Sequence, residues 1–218
     1  MSGTEPGLLL LISAPSGAGK TTVCQNLLAA DSNLVRAVTC TTRAAREGEQ
    51  NGRDYYFLSE EEFHARLERG EFLESALVYG NRYGTLKSEI ERLLVKGQNV
   101  LLNIDVQGVA NLRDCAAREP LLARSLVTVF LTPSSWTELE RRLRIRGSDS
   151  DRVIEARLRS AADELAASFR FDYLVLSESM DEDRRRIECI LTAEMLRRHR
   201  VKLPAALERE AKEKERCG

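Results

Sequence analysis

The stretch Ile12-Ser13-Ala14-Pro15-Ser16-Gly17-Ala18-Gly19-Lys20-Thr21-Thr22 follows the apolar run from Leu8 and leads into Val23-Cys24-Gln25-Asn26-Leu27-Leu28, which reads as a helix. Strand, glycine-rich turn, then helix is the context in which G-x-x-x-x-G-K-[ST] binds phosphate. Small residues let the backbone curl so that several N–H groups point at one phosphate chain. The helix opening near Lys20 adds unpaired N–H groups and the positive end of its dipole. Lys20 supplies a point charge for the β- and γ-phosphates, and the Thr21 hydroxyl is placed to ligate Mg²⁺. Residues Ala14 to Thr22 are therefore expected to bind a nucleoside triphosphate. Ala14 stands where the motif has its first glycine, which implies a negative φ at that position.

Outward from this loop, composition sets bounds. A chain of 218 residues suits one α/β domain with appended pieces. Basic and acidic side chains number 33 and 34, so no polybasic signal points to nucleic acid or a membrane surface. Five scattered cysteines with no C-x-x-C pair suggest neither a disulfide framework nor a zinc site. The N-terminus lacks a basic region, and its apolar run is too short for a leader or a span. The expectation is a soluble, cytoplasmic protein without an obligate protein partner.

In chain order, a strand is expected over Leu34–Cys40, then a polar segment from Thr41 to Asp54, and a strand over Tyr55–Leu58. Ser59 reads as the N-cap of a helix to about Arg69, and Phe72–Tyr79 as another strand. Helix follows from Lys87 to Lys96, with Gly97 as its stop. An apolar strand, Val100–Asp105, precedes a helix from Val106 to Arg118 that Gly108 interrupts. Leu126–Leu131 is a buried strand, Ser135 caps a helix through Arg146, and a further helix covers about 150–168. A last strand at Tyr173–Leu176, a helix from Asp181 to His199 and a charged tail complete the chain. Strands alternating with helices argue for a P-loop parallel sheet with helices on both faces. Its ligands should lie beyond the carboxyl ends of the strands.

A phosphotransferase also needs an acceptor site. Arg43 and Arg46, with Tyr55 and Tyr83, form a suitable kit for a dianionic phosphate, because Arg can bind it bidentately. The acceptor would then already carry a phosphate, as a nucleoside monophosphate does. Glu74, in an apolar strand, could accept the two parallel N–H bonds of a guanine edge.

The series Thr39-Cys40-Thr41-Thr42-Arg43, Arg46-Glu47-Gly48-Glu49, Asn51-Gly52-Arg53-Asp54-Tyr55-Tyr56-Phe57, Glu71-Phe72-Leu73-Glu74, Tyr83-Gly84-Thr85 and Ile104-Asp105-Val106-Gln107-Gly108 closely resembles guanylate kinase, of the bacterial type. With the P-loop and Arg142…Arg146-Gly147, the likeness runs from about Leu8 to His199. The resemblance implies ATP and GMP as substrates, Mg²⁺ as cofactor, and a P-loop core (about 7–34, 85–134 and 170–200). It further implies a mostly β GMP-binding insertion (35–84), a helical lid (135–169) and a tail (201–218). By matching position it assigns Arg43, Arg46, Tyr55 and Tyr83 to the GMP phosphate, Glu74 to the guanine edge, and Thr39 and Thr85 to guanine. Asn103 and Asp105 complete the GMP-binding set. Arg142, Arg146 and Arg157 would reach the ATP phosphates, and Lys20 would bridge donor and acceptor. Gly84 and Gly147 are hinge candidates.

Two positions depart from that pattern. Asn103 stands where the family often has Asp, keeping an acceptor oxygen without the charge. Ser177-Glu178 stands where it usually has Asn-Asp, which bears on adenine contacts. Two other functions compete: a catalytically inactive guanylate kinase-like binding module, and a related P-loop kinase for another phosphorylated acceptor.

Overall fold

The computed structural model describes residues 5–78, 80–145 and 151–216. Its strands are β1 (Leu9–Ser13), β2 (Leu34–Arg36), β3 (Cys40–Thr41), β4 (Tyr56–Phe57), β5 (Phe72–Val78), β6 (Asn81–Leu86), β7 (Asn99–Asn103), β8 (Leu126–Pro133) and β9 (Tyr173–Ser177). Five of them form a parallel sheet in the order β2-β7-β1-β8-β9. The other four form a second sheet, β4-β3-β6-β5, in which β6 runs antiparallel to both neighbours.

β1 is central because every residue in it can be covered on either face. Leu8, Leu10 and Ile12 pack against Val23 and Leu27 of α1 (Lys20–Ala30) and Ile187 and Leu191 of α8 (Met180–Met195). Leu9 and Leu11 face the other way, onto Ile90 and Leu94 of α3 (Lys87–Val95) and Val109 and Leu112 of α4 (Val106–Ala116). All five β1-side residues are fully buried, each contributing about 1.5–3 kcal/mol by leaving water. The period-two division of one apolar run between two helical layers makes the expected three-layer fold.

Four local expectations change. The single strand expected over 34–40 divides: β2 pairs with β7 in the core sheet, and β3 with β4 and β6 in the other. The chain crosses between sheets at 37–39, and its anchors differ accordingly. Ala37 is buried with the α3/α4 layer, and Cys40 with Phe63, Phe72 and Leu86. Gly108 does not interrupt α4; its N–H donates to the Asp105 cap at 2.7 Å. Beyond the expected elements, β6 occupies the segment before α3, and α5 (Pro120–Ser125) precedes β8.

Gly84, one of the hinge candidates, is closely packed. It is buried in β6, and a Cβ there would lie 2.8 Å from Phe72 Cδ1 and 3.1 Å from Phe63 Cζ. Those two rings stack at 4.4 Å under α2 (Glu60–Glu68), whose N-terminus carries the expected Ser59 cap as a full capping box. Gly84→Ala should therefore cost about 1–3 kcal/mol in chemical denaturation through overpacking. Wild-type stability in that variant would refute the packing role. The other hinge candidate, Gly147, lies outside the described residues, as does Arg146.

Candidate active site

The loop after β1 is built by two left-handed glycines, Gly17 at φ 93° and Gly19 at φ 95°. Gly19 is the N-cap of α1 and makes no side-chain cap. By contrast, Ser59, Asp105 and Ser179 cap α2, α4 and α8 with their side chains. The first N–H groups of α1 thus remain for an anion. Lys20 Nζ donates to the Ile104 carbonyl at 3.0 Å, across to the end of β7. Burial holds its pKa below the usual lysine range, opposed by Cys24, Asp105 and Glu164 nearby. A cation whose charged form is kept poorly solvated gains strongly from an arriving phosphate. Cys24, one turn on, has its thiol pushed up to about 11 by burial and is no nucleophile.

Arginines from the segments after β8 already touch this loop. Arg142, on α6 (Trp136–Ile145), donates to the Ala18 carbonyl at 3.3 Å and to Ser177 Oγ at 2.9 Å. Ser177 in turn donates to Asp183 Oδ2 at 2.6 Å, and Asp183 Oδ1 accepts the Glu178 N–H. Ser177 is thereby an anchor for Arg142, tied to α8, whatever it does toward adenine. Glu138, held down to about 2 by Arg141 and Arg142, sets the angle of Arg142 from the same helix. Arg157, on α7 (Asp151–Ala166), donates to Ser16 Oγ at 3.1 Å. Glu164, one of the residues sequence reasoning missed, sits on α7 beside the same loop. Its Oε1 accepts from Ser160 Oγ at 3.5 Å, and burial raises its pKa while Lys20 opposes.

Next to the loop, between α1, the end of β7 and the second sheet, lies a cleft of about 470 Å³. Thr21 opens onto it from α1, Asn103 and Asp105 from β7 and its extension, and Thr39 from the crossing between sheets. Tyr55, Glu74 and Tyr83 line the facing wall. Glu74 pairs across the strands with Thr85, whose hydroxyl donates to Glu74 Oε1 at 2.6 Å. That bond fixes one carboxylate oxygen and orients the group. Burial keeps the Glu74 pKa above the usual carboxylate value, with Thr85 opposing and Asp105 adding to it. Asp105 spends one oxygen on capping α4, so its role is partly structural.

The expected phosphate clamp is assembled unevenly. Tyr55 and Tyr83 meet edge-on at 6.1 Å. Arg43 lies over the Tyr55 ring at 5.5 Å and donates to Glu49 Oε1 at 2.8 Å. Glu49, then Tyr83, hold its pKa above the ordinary value. Glu49 also accepts the Arg46 backbone N–H at 2.7 Å, so this carboxylate shapes the loop. Its signal in the sequence is the Arg46-Glu47-Gly48-Glu49 motif. The Arg46 side chain is exposed and does not line the cleft. Asn51 Oδ1 accepts the Phe57 N–H, Asp54 Oδ2 the Gln50 N–H, and Gly52 turns at φ 79°. Asn51-Gly52-Arg53-Asp54 is thus the built turn that presents Tyr55.

A loop for a triphosphate and a separate polar cleft facing it, joined at Thr21 and Lys20, are what a P-loop nucleotide kinase needs for donor and acceptor. Known proteins narrow that class. The family profile described as guanylate kinase matches residues 7–194. The chain is 43% identical over 194 residues to the guanylate kinase of Cereibacter sphaeroides, covering 89% of this chain and 90% of that protein. It is likewise 43% identical over 201 residues to that of the Wolbachia of Brugia malayi, covering 92% and 100%. The crystal structure of guanylate kinase from Anaplasma phagocytophilum superposes with a TM-score of 0.67 at 35% identity, covering 90% of each chain. The chain belongs to the guanylate kinase family.

Proposed function

We propose that this chain transfers the γ-phosphoryl group of ATP to GMP, giving ADP and GDP, and that the cleft beside the P-loop is the GMP site. The observation that carries the acceptor assignment is Glu74: a partly buried carboxylate, oriented by Thr85, with its pKa raised by burial at a cleft wall. A carboxylate kept there at such a cost suits the paired N1–H and 2-amino donors of guanine. Thr39, Asn103 and Asp105 supply further acceptors near the base. Tyr55, Tyr83 and Arg43 hold the phosphate end, and Arg46 joins them on closure of the 35–84 segment.

In the reaction an oxygen of the GMP phosphate forms a bond to Pγ, and the bond from Pγ to the β–γ bridging oxygen breaks, leaving its electrons on ADP. Lys20 and the N–H groups of the loop stabilise charge on the β- and γ-oxygens, while Arg142 and Arg157 close over them. Arg146 belongs to the same proposed set. Mg²⁺ would be held by the Thr21 hydroxyl, exposed in the first turn of α1, with triphosphate oxygens and water completing its shell. Among the described residues no group of three or more His, Cys, Asp or Glu forms a cation cage, which fits an ion that enters with the nucleotide. When bound it neutralises phosphate charge. The division into core, GMP-binding segment (35–84), lid (135–169) and tail (201–218) rests on this reading. Cytoplasmic residence fits the four free thiols among the described residues and the lack there of a helix able to cross a membrane.

A coupled assay with ATP, Mg²⁺ and GMP, run beside AMP, CMP, UMP and ribose 1,5-bisphosphate, tests the proposal. GMP should be the preferred acceptor, and chelating the metal should cut turnover by about 100-fold or more. No ADP at saturating GMP would point to the inactive binding module. Turnover with a different acceptor would point to the related kinase.

A further inference from the structure

We propose that Arg36, outside every motif discussed so far, is an additional receptor for the phosphate of the acceptor nucleotide. Arg36 ends β2, and its side chain lines the cleft. Its guanidinium carbon lies 5.5 Å from the centroid of the Tyr55 ring, the same distance at which Arg43 meets that ring. Tyr55 therefore meets two cations, and two guanidiniums sharing one ring are close enough for one small dianion to feel both.

The two arginines differ in what else they touch. Arg43 is occupied by Glu49 and by the Ala44 carbonyl at 2.6 Å. The Arg36 side chain is exposed and, among the described residues, makes neither an ion pair nor a hydrogen bond. Its cation leans on the face of a cleft tyrosine instead of a carboxylate. A guanidinium with all its N–H donors available, at the rim of a cleft, is suited to bidentate capture of a phosphate.

Strand geometry says which end of the ligand it meets. Tyr83 and Thr85 lie two residues apart on one face of β6, opposite Ala76 and Glu74. Thr85 and Glu74 make the base end, and Tyr83, touching Tyr55, makes the other. Arg36 stacks at the Tyr55 end, with Arg43. The assignment rests on the GMP reading above. Because Arg36 contacts neither Lys20 nor the P-loop, it acts on acceptor capture and not on the transfer step.

The test is steady-state kinetics and calorimetry on full-length wild type, Arg36→Gln and Arg36→Lys. Arg36→Gln should raise the KM for GMP by about 3- to 10-fold, with kcat and the KM for ATP unchanged. GMP affinity should fall by the same factor, while affinity for guanosine, which lacks the phosphate, stays at the wild-type value. The GMP effect should shrink as salt rises, and Arg36→Lys should recover part of it. Equal losses for GMP and guanosine, or an unchanged KM, would overturn the proposal. A wild type that turns over another monophosphate defeats the GMP reading instead, and the Arg36 ratio is then read with that nucleotide and its nucleoside. An exposed side chain without hydrogen bonds can be replaced without unfolding, and matched thermal melts check this.

Discussion

Lys20→Met is expected to lower kcat by about 10²–10³-fold, the size of effect seen when a preorganised charge is removed from a transition state. In phosphoryl transfer the protein has little covalent work, so the position of positive charge decides the rate. The Lys20 side chain spans from the start of α1 to the carbonyl of Ile104, which lines the cleft, and so lies between the proposed triphosphate loop and the proposed acceptor site. The same variant should melt at or above the wild-type temperature near neutral pH. The sign follows from linkage: burial lowers the folded-state pKa of Lys20, so folding penalises its charged form. That penalty is present at neutral pH and is relieved only as pH rises through the depressed pKa. Loss of turnover with unchanged or raised stability identifies a residue kept for chemistry. A variant retaining a tenth or more of wild-type kcat would reject the role.

Glu74→Gln is the second large effect. One guanine donor would lose its charged acceptor and the other would face an amide N–H₂, a change of about 1.5–3 kcal/mol, or about 10- to 100-fold in kcat/KM for GMP. ATP binding should be nearly unchanged, and equal losses in both would reject the guanine assignment. Protonation should mimic the mutation. Because the Glu74 pKa is raised above the ordinary 4.5, the KM for GMP should climb as pH falls toward that raised value, and less so in the variant. Stability moves oppositely. A raised carboxylate pKa means folding favours the protonated form, so its contribution is lost as pH rises from the unfolded through the folded value. Glu74→Gln should therefore match wild type at low pH and exceed it at neutral pH, read from thermal melts across that range.

Much of this was legible along the chain because its causes are local. The P-loop could be read since the turn, the lysine and the helix start are contiguous in Ala14–Thr22. Ser59 could be read as a cap because a capping box spans four residues. Glu74 stood out because a carboxylate in an apolar strand needs a partner. Arg36, Glu49 and Glu164 did not stand out, each being one charged residue among many. Their places depend on Tyr55, Arg43 and Ser16, up to 148 positions away for the pair Ser16 and Glu164. A single strand over 34–40 overreaches because both halves have strand-like composition. Only the partners of each half, β7 on one side and β6 on the other, show where the chain leaves one sheet.

By itself, then, the sequence determined a P-loop, an apolar central strand, and a set of residues matching one kinase family, since patterning and short motifs encode these directly. The tertiary structure alone decided that Gly84 is a packing site and that Ser177 anchors Arg142 through Asp183. It also decided that Arg36 shares Tyr55 with Arg43. The physical reason is that burial, charge pairing and close approach are properties of side chains brought together from distant strands, and no local pattern records which neighbours a residue will meet.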